Sequence, residues 1–180
     1  MYNVFEGGKM NFQKLQNISP SDIAKYFLYR SNQDGELVSP LKMQKLVYYA
    51  YVWTLVKNKT KLFDEKIQAW PSGPVVPSLY RELKSYGSSP IDEKYLGVKD
   101  EAELNAIFSK FPKEVKNVLD GVYETYSTKT AFELVALTHA EKPWLEARNN
   151  LAPTKPSNNP ILDATILKQY GQSCSKITRK

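Results

Sequence analysis

The amino-acid sequence predicts a mainly α protein: a single compact helical domain, with a small β-hairpin around residues 62–76 as the one β element that the pattern allows. Apolar residues recur at helical spacing through most of the chain. Ser-Pro pairs and one capping-box spacing mark helix starts. Strand-like sequence is confined to the short segment Ile67–Trp70. A length of 180 residues suits one domain with a substantial core.

The first two helices are predicted from their start and stop signals. A Ser-Pro pair at 19–20 opens the first helix, and an Asp-Gly pair ends it at 34–35. A second Ser-Pro pair at 39–40 opens a helix that runs to residue 58. From Leu46 onward this second helix is apolar nearly all round, which is typical of the buried centre of a small domain. Its exposed first turn is expected to carry Lys42, Gln44 and Lys45.

The remaining helices are predicted over 77–86, 112–126, 130–138 and 161–170, with a loop and a short helix over 88–110. A proline-rich linker occupies residues 152–160. The helical domain would then span residues 18–170. A flexible N-terminal extension over 1–17 would precede it, and a basic flexible tail over 171–180 would follow.

The segment LFDEKIQAWPSGPVVPSLYRELKSYG, residues 62–87, contains a rigid corner. Its prolines fix φ and cannot continue a helix, so the chain turns here and leaves as a helix at Pro77. Trp70, Gly73 and Pro74 would fix the corner, and a positive φ at Gly73 would exclude β-branched residues. Such a corner either locks a core or presents a surface. If it presents one, the plausible contacts on its outgoing helix are Tyr80 and Arg81.

The net charge of +6 is unevenly distributed. Residues 37–63 carry five lysines and no acid, and residues 168–180 carry four basic residues and no acid. Such patches can attract nucleic acid, an anionic membrane face or an acidic protein. A solvated lysine face that only maintains solubility is the plainer interpretation.

Composition and termini favour a soluble cytoplasmic protein. The single cysteine, Cys174, excludes a disulfide framework within one chain and fits a reducing compartment. Residues 1–12 lack the basic and apolar regions of a secretory signal. The longest apolar stretch, Leu46–Val56, is interrupted by Thr54 and is too short to span a bilayer. We therefore expect no membrane partner.

The sequence contains no catalytic signature, so we expect no enzyme activity, no cofactor and no metal. His139 is the sole histidine, and Cys174 in the tail is a poor nucleophile for it. Gly73 stands alone between prolines, without the lysine and second glycine of a phosphate-binding loop. His139 is therefore interpreted as a hydrogen-bonded structural residue that buttresses the Trp70 corner. Trp144, after Pro143, is expected to pack a helix start against the core.

Three separated segments, LKMQKLVYYAYVW, LFDEKIQAWPSGPVVPSLYRELKSYG and LTHAEKPW, resemble the Panacea antitoxin domain, also called SocA-like or phage-associated GepA-like. The resemblance covers residues 18–170. Pro71-Ser72 departs from the family's usual basic-aromatic pair, which would alter local partner contacts more than the fold. The residues that match the family pattern or are candidates for partner binding are Lys42, Gln44, Lys45, Tyr49, Trp53, Trp70, Gly73, Pro74, Tyr80, Arg81, His139 and Trp144.

The resemblance implies a mostly helical antitoxin that neutralises a protein toxin by direct binding. Its cognate toxin would be encoded by an adjacent gene, often in a phage or prophage. The alternative is a nucleic-acid-binding transcriptional regulator that uses the basic stretch of the second helix or the tail. Sharply salt-dependent DNA binding would distinguish this alternative.

Overall fold

The computed structural model describes residues 13–15 and 17–177, which form eight α-helices and four short strands. The predicted mainly α fold with a small hairpin is confirmed. In chain order the elements are β1 (Gln13–Lys14), α1 (Pro20–Gln33), α2 (Pro40–Asn58), β2 (Thr60–Lys61), β3 (Gln68–Trp70), β4 (Gly73–Val75), α3 (Pro77–Leu83), a 3-10 helix (Lys84–Tyr86), a second one (Glu93–Leu96), α4 (Glu101–Ser109), α5 (Lys113–Tyr126), α6 (Ala131–His139), α7 (Lys142–Arg148) and α8 (Asp163–Ile177).

The predicted helix starts are formed by side-chain caps. Ser19 and Thr130 each accept a hydrogen bond from the third residue of their helix, and the acid at that position bonds back, which completes a capping box. Ser39 caps α2 by accepting from the backbone of Lys42. These bonds satisfy amides that the first helical turn leaves without partners, so the local sequence sets where each helix begins.

Helix α2 is the centre of the fold, as its sequence predicts. Residues 46–52 are at most 4% exposed, and α1, α3, α5, α6 and α8 all pack against this helix. The apolar stripe of α5, which includes Val118, Leu119 and Val122, covers one side of α2. Among the described residues, no helix is long and apolar enough to cross a membrane.

The C-terminal part of the chain differs from the prediction. The last helix begins at Asp163 instead of Ile161, because the amide of Ile161 donates to the carbonyl of Ile67 (2.8 Å) and keeps the chain extended beside β3. This helix runs to Ile177 and does not end at Tyr170. A further helix, α7, follows α6 directly. Residues 178–180 of the expected tail lie outside the described residues.

Part of the expected N-terminal extension pairs with the domain. Gln13–Lys14 forms a parallel pair with Thr60–Lys61, which the sequence did not predict. Residues 1–12 and 16 lie outside the described residues. The proposed domain boundaries at residues 18 and 170 stay predictions.

Candidate protein-binding surface

The rigid corner is an antiparallel hairpin. β3 and β4 are joined by Pro71 and Ser72, with Trp70 opposite Gly73. Gly73 has a φ of +96°, a region that favours glycine, and a Cβ there would lie 2.8 Å from both Lys45 Cε and Thr138 Oγ1. The expected positive φ at Gly73 is therefore observed. The close packing of Lys45 and Thr138 against this residue is a second reason for glycine at position 73.

Two polar side chains of α2 form hydrogen bonds with the backbone of β4 and of Val76, the residue that follows it. The amide of Val76 donates to Gln44 Oε1 (2.8 Å), and Gln44 Nε2 donates back to the Val76 carbonyl (3.4 Å). Lys45 Nζ donates to the carbonyl of Pro74 (3.0 Å). Gln44 is 4% exposed and Lys45 is fully buried. The expectation that the first turn of α2 is exposed is wrong. Among the described residues no strand pairs with β4 on the side that faces α2, so backbone groups there form hydrogen bonds with side chains of α2.

Lys42, the remaining polar residue of the first turn of α2, is also internal. Lys42 is 8% exposed, and its Nζ donates to the carbonyl of Ser127 at the end of α5. A cation at a helix C-terminus complements the helix dipole. Lys42 and Lys45 therefore do not form part of a basic surface patch. Further along the predicted patch, Lys61 pairs with Asp163 at 2.7 Å.

The burial of Lys45 affects its ionisation. With no acid beside it, removal from water lowers the pKa of the Lys45 amine from 10.5 to about 7. Burial lowers the pKa of His139, and the charges of Lys45 and Arg148 lower it further. A hydrogen bond with the Pro71 backbone opposes this shift.

Aromatic side chains cover the outer side of the hairpin. Trp70 and Tyr80 meet edge to face, with ring centroids 4.8 Å apart. Trp70 Nε1 donates to Gln68 Oε1 (2.7 Å), which fixes the indole orientation. Tyr80 is 43% exposed, Trp70 is half-buried, and Arg81 next to Tyr80 is exposed. We call Trp70, Pro71, Tyr80, Arg81 and His139 the hairpin surface.

His139 and Trp144 support this surface from α6 and α7. Their rings stack with centroids 3.9 Å apart, and Trp144 Nε1 donates to the Trp70 carbonyl (2.9 Å). His139 therefore buttresses the corner through Trp144. Its Nε2 has no hydrogen-bond partner among the described residues. Trp144 is 7% exposed and packs into the core, as expected.

Tyr49 and Trp53 lie away from the hairpin surface. Tyr49 is buried, stacks on Tyr126 at 4.1 Å, and donates to Glu141 Oε1 (2.9 Å). Trp53 is half-buried and its Nε1 donates to the hydroxyl of Tyr126 (3.3 Å). These two family-pattern residues hold α2 against α5 and the start of α7.

Arg148 is a residue of this region that the sequence analysis missed. It is 3% exposed, and its guanidinium donates to the carbonyls of Ala69 (3.4 Å), Lys155 (2.7 Å) and Pro153 (3.3 Å), and also to that of Ala152. Its carbon Cζ lies 5.5 Å from the Trp144 ring centroid. Arg148 thus fastens the proline-rich linker to β3. A basic residue in the last turn of a short helix, before Asn-Asn, is the signal that could have identified it.

Helix α6 adds an apolar stripe beside the hairpin, which the sequence analysis also missed. Within AFELVALTH only Leu134 and Thr138 are buried, although the helix is apolar on both faces. Phe132 is 80% exposed, and Ala136 and His139 follow it on the same face by helical spacing. We call Phe132 and Ala136 the α6 stripe. An apolar helix with one uncovered side is the pattern that could have revealed it.

Cations and acids around the hairpin surface differ in their internal partners. Within residues 13–15 and 17–177, the side chains of Arg81 and Lys84 form no hydrogen bond or ion pair. The neighbouring acids are engaged: Glu65 accepts from the amide of Ser78 (2.8 Å), and Glu82 accepts from the hydroxyl of Tyr95 (2.9 Å).

The fold and this surface define a small helical domain that presents a partly exposed aromatic surface at a hairpin. The family model described as "Antitoxin SocA-like, Panacea domain" matches residues 43–145, and the chain belongs to this family. The matched range runs from α2 into α7 and includes the whole hairpin surface. The family resemblance in the sequence is thereby confirmed.

A curated relative agrees with this assignment. The chain is 28% identical over 136 residues to "Antitoxin SocA" of Caulobacter vibrioides (strain NA1000 / CB15N). The aligned region covers 73% of this chain and 71% of the relative. No solved structure matches the chain significantly.

Proposed function

We propose that the protein is the antitoxin of a toxin–antitoxin pair and that it neutralises its toxin by direct binding through the hairpin surface. Membership of the Panacea family supports the antitoxin role. The proposed partner is a protein toxin encoded by an adjacent gene, and we expect both proteins to act in the cytoplasm.

The observation that carries the binding mechanism is that the partly exposed aromatic pair, Trp70 and Tyr80, is held in place by contacts. Trp70 and Tyr80 contact each other above a backbone that Gln44 and Lys45 hold by buried hydrogen bonds. An aromatic group that is already ordered loses little conformational entropy on binding, so more of its contact energy contributes to affinity. Tyrosine, tryptophan and arginine are the types that most often dominate interface energies. The hairpin surface has all three.

The nucleic-acid alternative has weaker support than the sequence suggested. Its basis in α2 was a basic patch, and two of the lysines in that patch, Lys42 and Lys45, point into the protein. Sequence-independent nucleic-acid binding needs exposed cations that reach several phosphates. We therefore propose a protein partner.

The test is coexpression with the small gene adjacent to this one, followed by mixing of the two purified proteins. We expect the neighbour to be toxic alone and harmless with wild-type protein, with protection that saturates at a fixed ratio. Tyr80→Ala should reduce rescue and binding by about tenfold or more, as for a central interface tyrosine. Its melting temperature should stay close to wild type because Tyr80 is 43% exposed.

Leu162→Ala is the matched control, because it truncates another exposed apolar side chain, 59% exposed, outside the hairpin surface. It should rescue fully. Full protection by substoichiometric wild-type protein would indicate turnover and would contradict neutralisation by binding. Full rescue by Tyr80→Ala would exclude the hairpin surface as the binding site.

A further inference from the structure

We propose that the toxin segment bound here is amphipathic along its length, with carboxylates that meet Arg81 and Lys84 and apolar side chains that meet the α6 stripe. This inference rests on the proposed function, since it describes the partner of the same surface. It follows from the exposed cations at the end of α3 and the exposed apolar side chains of α6, two helices that both contact the hairpin.

Three elements lie side by side on α2. Helices α3 and α6 and strand β4 each pack against α2, and α6 also contacts β4. Tyr80 of α3 contacts Trp70 of β3. The hairpin therefore contacts both α3 and α6, and one partner segment that crosses it can reach both helices.

The α3 side supplies free positive charge. Arg81 and Lys84 are three residues apart, a spacing that places both on one side of a helix, and both are exposed. The side chains of both lack partners among the described residues, whereas Glu65 and Glu82 nearby accept hydrogen bonds from neutral groups and keep their negative charge. Exposed cations without internal partners favour a carboxylate-bearing partner and raise its association rate.

The α6 side supplies apolar area with little charge. Phe132 is 80% exposed, and Ala136 on the same face is also exposed. Seven residues of helix separate Phe132 from His139, a distance of roughly 10 Å. Helix α6 has no lysine or arginine, and the carboxylate of Glu133 is engaged with Thr130 at the capping box. Apolar side chains are therefore the complementary ligands for this end.

Charge complementarity also decides against a second copy of this chain. The protein carries a net charge of +6, and a symmetric dimer would place Arg81 and Lys84 in the same interface as their own copies. Like charges brought together in an interface disfavour association. An acidic segment of a different protein removes this repulsion and still covers Phe132.

The experiment measures association and dissociation rates of the purified protein with its cognate toxin at low and high salt. The test variant carries Arg81→Glu and Lys84→Glu. The control carries Lys113→Glu and Lys168→Glu, which gives the same net charge at exposed positions of α5 and α8. We expect the test variant to associate about tenfold more slowly at low salt, with a smaller difference at high salt, and the control to associate within about twofold of wild type.

Phe132→Ser tests the apolar end. It should leave the melting temperature unchanged, since the side chain is 80% exposed, and raise the dissociation rate about tenfold with little change in association. Equal association rates for the two charge variants, or an unchanged dissociation rate for Phe132→Ser, would overturn this inference while the toxin still binds. Failure of the wild-type protein to bind the toxin would instead refute the proposed function.

Discussion

The side-chain amide of Gln44 forms two hydrogen bonds with the backbone of Val76, one with its N–H (2.8 Å) and one with its carbonyl (3.4 Å). A neighbouring strand would normally satisfy these groups. Here a glutamine on the central helix does so, and it joins the hairpin to α2. The exposed aromatic side chains above the hairpin are thus held by buried polar contacts beneath it.

Gln44→Leu should destabilise the protein by about 1–3 kcal/mol, because it leaves the buried amide of Val76 without a partner, while the Val76 carbonyl keeps its hydrogen bond from the amide of Tyr80 (3.0 Å). Chemical denaturation measures the loss. Gln33→Leu, at the exposed end of α1, is the control and should change stability by less than about 0.5 kcal/mol. Similar stabilities for the two variants would show that the Gln44 contacts contribute little.

Gly73→Ala and Gly35→Ala separate backbone strain from crowding. Both glycines have positive φ, +96° and +70°, but only at Gly73 would a Cβ meet other atoms. We expect Gly35→Ala to cost about 1 kcal/mol from the backbone conformation. Gly73→Ala should cost about 1–3 kcal/mol more, since Lys45 and Thr138 must move in a packed region. Equal losses of unfolding free energy for the two variants, measured by chemical denaturation, would mean that the turn around Gly73 accommodates the added methyl group without strain.

The stability of the protein should rise with pH above neutrality because of Lys45. Its pKa is about 7 when folded and 10.5 ordinarily, so between these values the unfolded chain holds a proton that the folded protein lacks. Across pH 7.5–9.5 this contributes about 1 kcal/mol of additional stability per pH unit. The measurement stops there because tyrosines of the unfolded chain ionise near pH ~10.

Lys45→Met removes the titrating amine and should flatten this part of the stability curve. Lys113→Met, which removes an exposed lysine, should keep the wild-type slope. Urea unfolding at four or five pH values measures both slopes. Parallel curves for wild type and Lys45→Met would mean that Lys45 stays protonated in the fold.

Arg148→Lys should release the linker from β3. Lysine keeps the charge but has no planar set of donors with which to reach the carbonyls of Ala69, Ala152 and Lys155 together. We expect a loss of about 2 kcal/mol and faster hydrogen exchange in residues 149–160. Arg81→Lys is the control, because Arg81 is exposed and its side chain lacks a partner among the described residues. An unchanged rate of hydrogen exchange in Arg148→Lys would mean that contacts other than those of Arg148 hold the linker.

Several helix starts could be predicted because the signals are local. The Ser19 and Thr130 caps use side chains within three residues of the amides they satisfy. The centre of the fold was predictable from α2, since a helix that is apolar on every side must be covered. The positive φ at Gly73 was anticipated from a glycine held between prolines in a turn.

The burial of Lys42, Gln44 and Lys45 was not predictable from local sequence. Polar residues in a first helical turn are usually solvated, and these three are buried because distant backbone carbonyls of Pro74, Val76 and Ser127 lie where they can accept. The role of Arg148 has the same origin, because its acceptors include Ala69, 79 residues earlier in the chain.

The helical class, several of the helix starts, the hairpin and the Panacea resemblance could be predicted from the sequence, because each depends on short-range patterns of capping, periodicity and turn residues. The three-dimensional structure was needed to show which polar residues are internal and which aromatic and basic side chains lie together at the hairpin surface. Those outcomes depend on contacts between segments far apart in the chain, where a backbone group that lacks a partner in its own element must find one in another.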